Sequence, residues 1–228
     1  TGSEVVPTVD VRSITAGQIA LGRNQLPVVE PRVFADADGI FGADAFSQGC
    51  LHVDFVESRV SILRTGCRRR GDNWESLRAE FRFGGLPVVR ARVGRTPVLV
   101  IIDTGAERSL GNRALLGASG LEAALEDPST QRQVFAATSQ AVFGNLLAAP
   151  PISLGNIDIG NLHLVFGDFE VFRMWGAADT PAIVLGMDVL GTAQAMMIDY
   201  KRSQFWLLPQ GAPNTFRYRP RTTPSRLP

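Results

Sequence analysis

Residues 98–106 read Val-Leu-Val-Ile-Ile-Asp-Thr-Gly-Ala, an apolar run that ends abruptly on a carboxylate. A run of this kind suits a strand buried in a sheet. It would carry Asp103 to a place where water is scarce. The residues that follow fit a site: the Thr104 hydroxyl can hydrogen-bond across it and fix the loop, and Gly105 lets the backbone come close to the carboxylate. Ala106 keeps the loop small. The same letters also suit an ordinary turn, where Asp and Gly are favoured and Thr is tolerated. Asp103 therefore needs a second signal.

That signal lies downstream. Residues 183–190 read Ile-Val-Leu-Gly-Met-Asp-Val-Leu, and Ile198-Asp199-Tyr200 follows. The same pattern occurs earlier. Gly39-Ile40-Phe41-Gly42-Ala43-Asp44-Ala45-Phe46 parallels the 183–190 element. A hairpin with Val53-Asp54-Phe55 and Val60-Ser61-Ile62-Leu63 parallels Ile198-Asp199-Tyr200 and Phe205-Trp206-Leu207-Leu208. Ile14-Thr15-Ala16-Gly17-Gln18-Ile19 parallels Ile152-Ser153-Leu154-Gly155-Asn156-Ile157. Two copies of one unit in tandem are implied. The division expected is 1–65 for the C-terminal half of a first copy, 66–76 for a linker, 77–209 for a complete second copy and 210–228 for a Pro/Arg-rich extended tail. By the spacing within the second copy, a first Asp-Thr-Gly would lie about forty residues before Thr1. Thr1-Gly2-Ser3 has no preceding Asp and fits the flap-side region of the first copy.

Asp103-Thr104-Gly105-Ala106, followed by a strand ending in Leu185-Gly186 and a short helix, resembles the retropepsin-like branch of the aspartic peptidases, of a bacterial two-lobed type. The resemblance covers residues 77–209 fully and residues 10–65 in part. It implies an all-β, acid-protease-like barrel with two related lobes, the first truncated at its N-terminal half. It also implies an endopeptidase acting on polypeptides, with no cofactor and no metal. In aspartic peptidases, a well-known case of coupled titration, two carboxylates about 3 Å apart share one proton. The ionised member takes a proton from a bridging water. The protonated member hydrogen-bonds to the scissile carbonyl.

Asp103 thus needs a partner. Asp44 and Asp188 follow the Leu-Gly-type turn and read as N-caps of short helices. Asp54 and Asp199 sit in hairpin strands and read as structural. The second carboxylate is expected from the missing half-lobe or from a second subunit. A homodimer joining two copies of Asp103 is disfavoured, because the partial first copy should already fill the partner's place. The rival from another class is a catalytically inactive module that clamps extended peptides on the same fold.

Composition narrows the field. The chain has 228 residues, 45% of them hydrophobic, with 23 basic and 22 acidic side chains. Near-neutral charge gives no case for nucleic acid as a partner. Every basic residue but Lys201 is Arg, which reads as the bias of a GC-rich, bacterial genome. The Arg68-Arg69-Arg70 run reads as solvated linker. No apolar run reaches membrane-spanning length. His52 and His163 fall in strands, which leaves no His-based triad or zinc set. Trp74, Trp175 and Trp206 read as packing residues. Cys50 and Cys67 flank a hairpin centred near residues 58 and 59, so they lie opposite each other and a cross-strand disulfide is expected. That would suit a periplasmic or exported protein.

Within the second copy, strands are expected over 79–83, 87–93 and 98–103, with turns at Gly84-Gly85 and Gly94-Arg95. Short helices are expected over 113–116 and 120–125 and a flap hairpin over 133–143. Two more strands are expected in 157–172 around a Gly160-Asn161 turn.

Overall fold

The computed structural model describes residues 5–16, 19–29, 37–43, 49–69, 71–135, 141–211 and 215–217. Asp44, the Thr1-Gly2-Ser3 segment, Arg70, the centre of the flap hairpin and most of the C-terminal tail lie outside them. The fold is mostly β-strand, as expected, with three short helices among the described residues.

Four short strands come first: β1 (Thr8–Val11), β2 (Ile14–Ala16), β3 (Ile19–Leu21) and β4 (Asn24–Pro27). β1 pairs with β4 and β2 with β3. Then follow β5 (Cys50–Asp54), β6 (Arg59–Leu63), β7 (Glu75–Arg78), β8 (Glu80–Arg82), β9 (Leu86–Val93), β10 (Thr96–Ile102) and β11 (Leu110–Gly111). Helix α1 (Arg113–Ala118) and two 3-10 turns (Glu122–Glu126, Pro128–Thr130) lead to β12 (Gln131–Phe135) and β13 (Ala141–Ala148). The rest is β14 (Ile152–Leu154), β15 (Ile157–Gly160), β16 (His163–Phe166), α2 (Glu170–Met174), β17 (Ala182–Leu185), α3 (Met187–Leu190), β18 (Ala195–Asp199), β19 (Gln204–Leu208) and β20 (Thr215–Arg217).

An eleven-stranded sheet runs β12-β13-β16-β11-β17-β10-β9-β14-β15-β20, with β8 also on β9. β9 shows why these residues make strands. Val89, Ala91 and Val93 face inward and Arg90 and Arg92 outward, the period-2 pattern of a half-buried strand. Gly94, with φ of +57°, closes the turn into β10. The core gathers Leu115, Leu154, Leu164, Phe166 and Ile183 around the centre of this sheet.

Three local expectations change. The 120–125 segment is a 3-10 turn over Glu122–Glu126. The strands on either side of Asn161 do not pair with each other: β15 pairs with β14, and β16 with β13 and β11. Leu164, Val165 and Phe166 are consecutive and all buried. Such a strand needs cover on both faces, so it crosses to the far side of the sheet. Residues 170–172 are helical rather than extended. At the C-terminus, residues 215–217 add a strand parallel to β15. β7 begins inside the segment read as linker.

A second sheet runs β6-β5-β18-β19-β7, and it contains two hairpins of matching register. In the β5–β6 hairpin Cys50 faces Leu63 and Asp54 faces Arg59. In the β18–β19 hairpin Ala195 faces Leu208 and Asp199 faces Gln204. Each closes through four residues, and the last of the four, Ser58 or Ser203, has a positive φ. The two hairpins therefore correspond residue for residue. They also pair with each other, Cys50 against Asp199 and Asp54 against Ala195. His52 and Met197, which correspond, face each other at the centre of a local two-fold relation. The β2–β3 and β14–β15 hairpins match in the same way, with Ile14 facing Leu21 and Ile152 facing Ile159.

Candidate active site

β10 lies at the heart of the large sheet, antiparallel to β9 and parallel to β17. Val98, Val100, Ile101 and Ile102 are buried along it. The Asp103 N–H continues the β17 ladder by donating to Leu185 O at 3.1 Å. There the chain leaves the sheet, loops through residues 103–109 and returns as β11 on the far side of β17. β17 is thus inserted between the two strands that carry the loop, and its own C-terminal end meets that loop.

The loop is held close to Asp103 and to α3. The Gly105 N–H donates to Asp103 Oδ1 at 2.9 Å, and a Cβ on Gly105 would stand 3.2 Å from that oxygen. Met187 and Asp188 N–H, at the start of α3, donate to the carbonyls of Ala106 (2.8 Å) and Glu107 (3.1 Å). This contact explains the glycine of the Leu-Gly element. A Cβ on Gly186 would lie 2.7 Å from Ala106 O and 2.9 Å from the carbonyl carbon of Arg108.

Asp188 is not the N-cap of α3. Gly186 occupies that position, and Asp188 sits one residue inside the helix. Its carboxylate turns to the loop instead. Oδ1 accepts the Ser109 hydroxyl at 2.6 Å and Oδ2 accepts the Ser109 N–H at 3.1 Å. Ser109 Oγ in turn accepts the Gly186 N–H at 2.9 Å. Burial pushes the Asp188 carboxyl above its ordinary pKa, against the opposing pull of the Ser109 bonds and the nearby Arg108 charge.

Asp103 itself is half-buried. Among the described residues its Oδ2 accepts no hydrogen bond and no second carboxylate bonds to it. Thr104 is exposed, and its hydroxyl has no partner among the described residues. The loop is fixed by Ser109 and Asp188.

Ser109 and Asn112 were not singled out from sequence. Asn112 caps α1 by accepting the Leu115 N–H, accepts the Ala182 N–H as well, and donates to Ala177 O and Thr180 O. Its place just before the Arg113-Ala114-Leu115-Leu116 run was the available signal. Ser109 carried no comparable mark.

The remaining candidates stand apart. Asp199 is 1% exposed. Its Oδ1 accepts Lys201 and Arg202 N–H, and its Oδ2 accepts Cys67 N–H and the Arg202 guanidinium. Burial alone would raise its pKa, but these bonds outweigh it and hold the carboxyl below the usual range. Asp54 accepts the Glu57 N–H and lies 3.7 Å from Arg59. His163 is an exposed strand residue, whereas the His52 ring packs edge-on against Trp74 at 6.1 Å and is partly buried, not held at the surface. Burial lowers its pKa. Trp175 stacks on Phe83. Among the described residues no three His, Cys, Asp or Glu side chains gather as a metal site would require.

Cys50 and Cys67 form a disulfide with a Cα–Cα distance of 5.1 Å. They are not directly opposite in the hairpin, which is centred two residues earlier than expected, so Leu63 faces Cys50. Cys67 returns to Cys50 through the turn after β6 and donates its N–H to Asp199.

Residues 89–189 match the family model described as aspartyl protease. This stretch is similar to that family. It holds both β10 with the Asp103 loop and the β17–α3 element against it. No curated protein matches the chain. Among solved structures, a retropepsin-like aspartic protease from Rickettsia conorii is similar, with 16% identity over 59% of this chain and 90% of that one and a TM-score of 0.40. No helix among the described residues is long and apolar enough to cross a membrane.

Proposed function

We propose that this chain contributes one catalytic carboxylate, Asp103, to an aspartic endopeptidase. The observation that carries the proposal is the inserted strand β17. It pins the Asp103 backbone, and α3 behind it pins the loop, while the carboxylate keeps one oxygen free. Asp103 Oδ1 is oriented by the Gly105 N–H, leaving Oδ2 to face a water. Peptide hydrolysis then needs a second carboxylate to hold the shared proton and bond the scissile carbonyl. A half-lobe related to the second copy, or a second subunit, supplies it. The two-fold pairing of β5 with β18 supports two related lobes meeting at this sheet. The β12–β13 hairpin serves as the flap over the substrate. The disulfide supports a periplasmic or exported location.

One observation favours a second reading, a clamp that holds peptides without cutting them: among the described residues Asp103 stands without a carboxylate partner. The test is hydrolysis of an unfolded protein by the full-length protein, with and without Asp103→Asn and a statine-type inhibitor. Cleavage that both the substitution and the inhibitor remove supports the peptidase. Peptide binding without cleavage by wild type supports the clamp.

A further inference from the structure

The Asp103 backbone is tied to a buried polar chain that extends away from the reacting face. The peptide group joining Leu185 and Gly186 is the central link. Its oxygen accepts the Asp103 N–H at 3.1 Å, and its N–H donates to Ser109 Oγ at 2.9 Å. Ser109 in turn donates its hydroxyl to Asp188 Oδ1 at 2.6 Å and its N–H to Oδ2 at 3.1 Å. Because a peptide group is planar and stiff, a tilt at its N–H end moves its oxygen as well. Hydrogen bonds in series also polarise one another, and a carboxylate at the end of the chain strengthens each link. Ser109 is 1% exposed, so water does not compete for these groups.

We propose that Ser109 and Asp188 are positioning residues that set the height of Asp103 at the end of β10 through the Leu185–Gly186 peptide. The proposal rests on the peptidase reading for its effect on catalysis but not for the mechanical coupling itself. Asp188 takes no part in the chemistry: both its oxygens are occupied by Ser109. Removing the Ser109 hydroxyl leaves the Gly186 N–H without its acceptor and frees the peptide to rotate. A displacement of about 1 Å in a reacting group can lower the rate about 100-fold.

The experiment compares Ser109→Ala, Ser109→Thr, Asp188→Asn and Asp188→Ala in the full-length protein. It measures kcat and KM per folded molecule and amide hydrogen exchange at Asp103 and Gly186, with β18 amides as the reference. Ser109→Ala is expected to lower kcat about 100-fold while KM changes less than about threefold. Exchange at Asp103 and Gly186 should quicken relative to β18. Ser109→Thr, which keeps the hydroxyl, should restore both readouts. Asp188→Asn should fall between, since its amide can accept the hydroxyl but cannot also accept the Ser109 N–H. If Asp188→Ala does not fold, the Ser109 pair decides alone. A Ser109→Ala protein with wild-type kcat overturns the catalytic role. Exchange that rises equally at all amides reduces the pair to general stability and overturns the proposal. If wild type cleaves nothing, the exchange readout still decides. Selective quickening at Asp103 upholds the coupling while the peptidase reading fails, and unchanged exchange overturns the coupling itself.

Discussion

Asp103 and Asp199 both stand where an apolar strand ends, β10 in one case and β18 in the other, yet they are opposite kinds of carboxylate. Asp199 is sealed: its two oxygens take four donors, three backbone N–H groups and one guanidinium. Asp103 takes one donor, from Gly105, and retains an oxygen with no partner among the described residues. Strand delivery alone therefore does not distinguish a reacting group from a structural one. What distinguishes them is the number of protein donors already bound. Asp199 uses its lone pairs to join the disulfide segment to the hairpin turn, whereas Asp103 keeps lone pairs that no described donor takes.

The same substitution at both places should separate them most sharply. In Asp199→Asn, either amide orientation sets an NH2 group against two donors. The loss is expected at about 3–5 kcal/mol in denaturant unfolding near neutral pH, since each donor left unpaired costs about 1–3 kcal/mol. Asp103→Asn should move stability by less than about 0.5 kcal/mol. Equal losses would erase the contrast. The pH dependence sharpens it. The folded state holds Asp199 below the ordinary Asp range, so its contribution is present above the unfolded pKa and is lost as pH falls through the folded value. Wild type and Asp199→Asn should therefore converge in stability on acidification.

The next effect is that of the disulfide, which anchors the Asp199 corner from outside. Reducing Cys50–Cys67, separated by 17 positions, should cost about 3 kcal/mol. Unfolding with and without reductant measures it, and no shift in midpoint would show that the Asp199 bonds hold the segment unaided. On the Asp103 side, Gly186→Ala should cost about 1–3 kcal/mol by overpacking, since its Cβ would press on the backbone of residues 106 and 108. On the peptidase reading activity should fall with it, because that backbone belongs to the loop proposed to carry the chemistry. The smallest effect belongs to Asp54, the counterpart of Asp199 in the first copy. Its side chain is 21% exposed beside an exposed Arg59. Asp54→Asn should change stability by about 0.5 kcal/mol or less. A large loss there would mean that the two copies are equivalent in energy as well as in register.

Much of this was legible in the chain because apolar runs and repeats leave direct marks. Residues 98–102 announce β10, and the alternating runs announce the β5–β6 and β18–β19 hairpins, since pairing register follows from pattern and turn length. What was not legible depends on contacts between distant segments. Asp188 reads locally as a cap, but Ser109, brought alongside by the inserted β17, offers two donors where a cap would have bonded one backbone N–H. The crossing of β16 away from β15 was hidden for a similar reason. A turn at Asn161 suggests a hairpin, and only the burial of Leu164, Val165 and Phe166 on both faces sends the strand elsewhere. Cys50 and Cys67 were placed opposite each other by a hairpin centre two residues off; the bridge forms by way of an extra turn.

The central question is whether Asp103 performs chemistry. The direct measurement is the rate at which the full-length protein hydrolyses an unfolded protein substrate, compared between wild type and an Asp103→Asn variant shown to be equally stable. Asn preserves the shape of Asp but cannot exchange a proton as a base, so the predicted result is cleavage by wild type and a loss of about 1000-fold or more in the variant. Cleavage by Asp103→Asn at the wild-type rate would contradict the assignment.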